Sequence, residues 1–133
     1  MSTPPPRMEL KAVLHPDRQN ASLELHMNGS PLGHIILDAA SLSQTIETLS
    51  AIRAGMDEEV PRELDPGTRL LTVPDPIWQT QRPTDPHAPP DSVLLALRDP
   101  GRGWLSFLLP GNEARKLATW LDGNSPKSEA AAP

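Results

Sequence analysis

Residues 92–121, SVLLALRDPGRGWLSFLLPGNEARKLATWL, constrain the fold more than any other stretch, because they read as a β-hairpin running directly into an amphipathic helix. Val93, Leu95 and Leu97 alternate with their neighbours, the pattern breaks at Asp99-Pro100-Gly101-Arg102-Gly103, and Leu105, Phe107 and Leu109 resume it. Pro110 suits a first helical position. Ala114, Leu117, Ala118 and Leu121 then recur at helical spacing and make one apolar stripe that Gly123 can end.

The same unit occurs earlier. Residues 22–49 align with this stretch at an offset of 70 through the strands, Leu23 with Val93, Gly33 with Gly103 and Ile35 with Leu105, and at 71 through the helix. Apolar periodicity alone produces part of such a match, and the glycine, the equal loop lengths and the strand-helix junction add to it, so an internal duplication is expected. Asp38 offers a side chain that can cap the first helix, Leu42, Ile46, Leu49, Ile52 and Met56 form its stripe, and Gly55 can stop it.

Upstream, residues 8–15 alternate as a strand, and His15-Pro16-Asp17 with Arg18-Gln19-Asn20 makes a turn. That tripeptide is similar to the one in J-domain cochaperones, where it lies between two helices; here it lies between strands and is a turn. Either Arg69–Val73 or Ile77–Arg82 should supply the matching first strand of the second unit, the latter as an edge strand hemmed in by prolines. The expected fold is α+β: a largely antiparallel sheet of about six strands with two helices on one face. The expected organisation is a loose lead over 1–7, one domain over 8–123 with pseudo-repeats 8–56 and 69–122 joined by an acidic loop 57–68, and a disordered tail over 124–133.

The chain has 133 residues, with 17 prolines and 3% aromatic residues, which suits a small structured unit with long connections better than a large packed enzyme. Residues 1–66 hold 5 basic and 10 acidic side chains, and residues 67–133 hold 7 of each, so the acidic front half disfavours unspecific attachment to nucleic acid or anionic membrane. Without cysteine there is no disulfide framework, thiolate nucleophile or zinc ribbon. MSTPPPRMELKAVL lacks the apolar core of a signal peptide, so a cytoplasmic setting is expected.

No nucleophile elbow, phosphate loop, HExxH or GxGxxG occurs, and no catalytic residue, cofactor or metal is expected. His26 and His34 share the face opposite the helix, across one hairpin, but a third ligand is missing and a chance neighbourhood of surface histidines is the commoner explanation. The same alternation sends Leu94, Trp104 and Leu108 of the second unit to the back of the sheet, an apolar patch that needs a cover. Ile77 and Trp78, or a second subunit, could supply it. The expected function is therefore a non-enzymatic, self-associating protein-interaction module. The rival is a single-strand nucleic-acid binder built on Arg98, Arg102, Arg115, Lys116 and the tryptophans. Its layout of hairpin-plus-helix units resembles the Whirly and PUR-repeat single-strand binders, a resemblance of layout that rests on no family motif.

Overall fold

A computed structural model describes residues 2–127 of the chain, so residues 128–133 of the expected tail lie outside the described residues. The class is α+β. Two compact units follow one another, Met1–Arg69 and Leu70–Pro133. The first contains β1 (Met8–Leu14), β2 (Asn20–Met27), β3 (Ser30–Asp38) and α1 (Ala39–Ala54), and the second contains β4 (Trp78–Gln81), β5 (Val93–Asp99), β6 (Gly103–Leu109) and α2 (Gly111–Asn124). The six strands do not form one sheet; they form two antiparallel sheets of three, ordered β1-β2-β3 and β4-β5-β6. Side-chain alternation sets the faces of a strand but says nothing about which edges meet, and that is where the single-sheet expectation failed.

In the first unit, Asn28 and Gly29 turn the β2–β3 hairpin with φ of 51° and 83°, the left-handed pair that a two-residue type I′ turn requires. Leu23 pairs with Ala12 on one side and with Ile35 on the other, so Leu10, Ala12, Leu23, Leu25 and Ile35 share a face. Helix α1 follows β3 without a break. Asp38 caps it, its carboxylate accepting the Ser41 N–H at 2.8 Å, and Gly55 terminates it. This hydrogen bond is the first cause holding the Asp38 carboxyl below its ordinary pKa. Only Leu42, Thr45 and Ile46 of α1 are half-buried; Leu49, Ile52 and Met56 stay exposed.

In the second unit, the first strand is Trp78–Gln81, while Arg69–Val73 is irregular. Arg69–Val73 reads as a strand by composition, yet Pro74 and Pro76 follow it at once, and the partner for β5 comes from beyond them. Pro110 is the N-cap of α2 rather than its first residue and makes no side-chain cap bond. The helix passes Gly123 and ends at Asn124, with Ser125 as its C-cap. Over the hairpin and the helix the two units correspond at a spacing of 72 residues, Leu23 and Leu95 on the central strands, Ile35 and Phe107 opposite them, Ala39 and Gly111 at the helix starts, whereas the first strands do not keep it: Ala12 and Thr80, the partners of Leu23 and Leu95, are 68 apart.

Among the described residues no hydrophobic side chain is buried. The chain exposes 12136 Å², whereas two compact units of half its mass, taken separately, would expose about 8200 Å² together. Irregular stretches account for part of the excess. The rest lies on the sheets and helices, whose apolar sides are largely open.

Candidate functional site

The back of the second sheet is built by β5 and β6. Leu94 faces Leu108 and Arg98 faces Trp104 as direct cross-strand partners, with Ala96 and Ser106 between them. Cβ atoms of such pairs lie about 4.5–5.5 Å apart, so Leu94 touches Leu108, and Ala96, diagonal to Trp104, links the tryptophan to them along one strip. Trp104 is 50% exposed, Leu108 45%, and Leu94 half-buried. Gln79 and Gln81 of β4 lie opposite Ala96 and Leu94 and rim the strip with amides.

Trp78 is not part of this strip. It pairs with Leu97 and sits on the other face, toward α2. Ile77 precedes it, anchored through its carbonyl, which accepts the Arg98 N–H at 2.9 Å, and its side chain is exposed. The segment expected to cover the back thus contributes its tryptophan to the front. There Trp78, Leu95, Leu97 and Leu109 face Leu117 and Leu121 of α2 across an open groove of about 380 Å³. Phe107, whose alternation with Leu105 and Leu109 places it on the helix side, shares the face of Leu95 but is 50% exposed. The sheet of the second unit is therefore apolar on both sides.

The first unit differs. Its front carries an apolar hollow of about 400 Å³ lined by Leu10, Leu23, Leu25, Leu32 and Ile35, and its back mixes Glu9, Lys11, Glu24 and His34 with Val13 and Ile36. His26 is 9% exposed and lies 3.0 Å from the Glu24 carboxylate through Nε2, while its buried Nδ1 has no hydrogen-bond partner among the described residues. His34 faces Glu24 across the strands, and His26 faces Pro31 beyond an irregularity in the pairing, so the two histidines are not opposite one another. No group of three or more His, Asp or Glu side chains is placed to hold a metal ion among the described residues. A contact that the sequence did not suggest joins His15 and Ser22, whose Nε2 and Oγ lie 2.6 Å apart. Among the described residues no further group orients the other ring nitrogen of His15, which a nucleophile-base pair requires.

The four basic residues do not gather. Arg102 is tied to Asp99 at 2.9 Å and Lys116 to Glu113 at 2.8 Å. The Asp99 carboxyl is held below its ordinary pKa first by the Arg102 backbone N–H and then by that of Gly101. Arg115 lines a groove with Arg82, Asp91 and Gly111 beside Val93. Val93 and Asp99 are the opposite ends of β5, which at about 3.3 Å per residue places Arg115 and Arg102 roughly 20 Å apart along the strand. Arg98 lies on the back, opposite Trp104.

No helix among the described residues is long and apolar enough to cross a membrane. Comparison with protein-family models, with curated proteins and with solved structures finds no match in any of the three.

Proposed function

We propose that this chain is a non-enzymatic protein-interaction module that associates with copies of itself through its second unit, with Leu94, Trp104 and Leu108 in the contact. The supporting observation is a sheet with two apolar faces and no buried hydrophobic side chain anywhere among the described residues. An isolated chain in this state lacks the burial that offsets the conformational entropy of folding, about 1–2 kcal/mol per residue for the backbone alone. A second copy supplies it. The correspondence at 72 residues supports descent of both units from one duplicated ancestor. A cytoplasmic setting belongs to the same proposal, and the lack of cysteine suits it.

The experiment is a mass measurement on the purified chain over a range of concentrations, with Trp104→Asp alongside. Association of the unsubstituted chain and dissociation of the variant, with unchanged far-ultraviolet circular dichroism, is the expected result. Titration with a single-stranded oligonucleotide at low salt tests the rival. With two of its four basic residues already ion-paired and Arg115 remote from Arg102, no quenching of tryptophan fluorescence is expected.

A further inference from the structure

We propose that two copies join through β6, edge to edge and antiparallel about a twofold axis at Ser106, so that each β4-β5-β6 sheet becomes half of a continuous six-stranded sheet. This rests on the self-association proposed above and specifies its geometry, with Trp104 and Leu108 at the seam and Leu94 one strand behind it. An open sheet edge presents unpaired N–H and C=O groups, and natural proteins block such edges with charges, prolines, bulges or shortness. Three of the four edges here are blocked in those ways. Strand β1 carries Glu9 and Lys11, β3 contains Pro31 at the irregular pairing, and β4 has four residues between Pro76 and Pro83. Strand β6, GWLSFLL, has seven residues with no charge, proline or bulge, and β5 is its one neighbour in the sheet.

The backbone phase of β6 also fits a copy of itself. Because the Arg98 N–H points to Ile77 beside β4, the even residues of β5 serve β4, while Leu95 and Leu97 exchange bonds with Phe107 and Leu105 of β6. Trp104, Ser106 and Leu108 therefore turn their N–H and C=O groups to the free edge. A twofold at Ser106 places Ser106 opposite its own copy and Trp104 opposite Leu108 of the second copy. All three outward residues then fall into hydrogen-bonded pairs, and the overlap covers the whole strand. The same register sets tryptophan beside leucine on the back and Leu105 beside Phe107 on the front, so the apolar strip runs unbroken from one copy into the other.

Because the chain has no cysteine, single substitutions report this geometry cleanly. Hydrogen-bonded antiparallel partners have Cα atoms about 5.5 Å apart, inside the roughly 4.4–6.8 Å that a disulfide spans, so oxidation of the full-length Ser106→Cys chain should give mostly covalent dimer. Gln79→Cys is the control: it lies at the same level of the sheet, and five strand spacings would separate its two copies by about 24 Å, so no crosslink is expected. Ser106→Pro removes an outward N–H and leaves the β5–β6 bonds intact, so it should weaken association at least tenfold with unchanged far-ultraviolet circular dichroism. If the unsubstituted chain is a dimer by native mass but Ser106→Cys fails to crosslink, edge pairing is overturned and self-association stands. A monomeric unsubstituted chain overturns both.

Discussion

The two units share one plan, three antiparallel strands followed by a helix, and differ in what they do with the far side of the sheet. In the first, Glu9, Lys11, Ser22, Glu24 and His34 share the back with Val13 and Ile36, so this face is mostly polar, as the wet side of an antiparallel sheet can be. In the second, Leu94, Ala96, Trp104 and Leu108 give the back more apolar surface, with Gln79, Gln81, Arg98 and Ser106 beside them. The helix starts differ too: Asp38 caps α1, whereas Pro110 begins α2 without a side-chain bond. On the proposal made above, association is encoded in the second unit.

The largest effect should come from Trp104→Asp, which puts a charge in the apolar strip. Truncating a buried interface tryptophan commonly costs about 2 kcal/mol or more, so the dissociation constant should rise by at least about 30-fold in sedimentation equilibrium. His34→Asp, on the polar back of the first unit, should leave it unchanged; equal sensitivity of both would erase the contrast between the units.

Phe107→Ala sharpens the comparison on the helix-facing side. Full burial would make its loss cost about 3–5 kcal/mol, and at 50% exposure about half of that is expected in denaturant titration. A full-sized loss would mean that the front face is covered as well.

Gly111→Ala distinguishes the helix starts. An added Cβ would lie 2.9 Å from Asp91 Cβ and 3.0 Å from its carbonyl, so a loss of about 1 kcal/mol, the low end for overpacking, is expected. The corresponding residue of the first unit, Ala39, already carries a Cβ. A neutral Gly111→Ala would show that the Asp91 turn yields freely.

The smallest effect is a pH dependence of α1. Because folding holds the Asp38 carboxyl below its ordinary value of 3.8, its contribution is present above that value and fades as pH falls through the lowered one. Helicity lost on acidification should therefore be smaller in Asp38→Asn, measured by circular dichroism at 222 nm. An identical acid profile would assign the loss to other carboxylates, among them Asp17 and Asp99, which backbone N–H groups also hold low.

The elements themselves were legible. Alternation marked β1 and both hairpins, helical spacing marked α1 and α2, and Asp38 announced its own cap. What escaped depended on long-range choices. Arg69–Val73 has the composition of a strand, but β5 pairs with Trp78–Gln81 instead, and that choice reversed the face on which Trp78 lies. The back-face strip of Leu94, Trp104 and Leu108 followed from period two alone. The basic residues were adjacent in composition only, because strand length separates Arg115 from Arg102. The free edge of β6 could not be read until the sheet order was known.

The central claim is that the exposed sheet of the second unit is completed by another copy of the chain. Native mass spectrometry of the purified, unsubstituted protein at micromolar concentration tests it most directly. The account predicts a species of twice the 14.4 kDa chain mass that disappears in Trp104→Asp. A stable, folded species of 14.4 kDa at every concentration would contradict it.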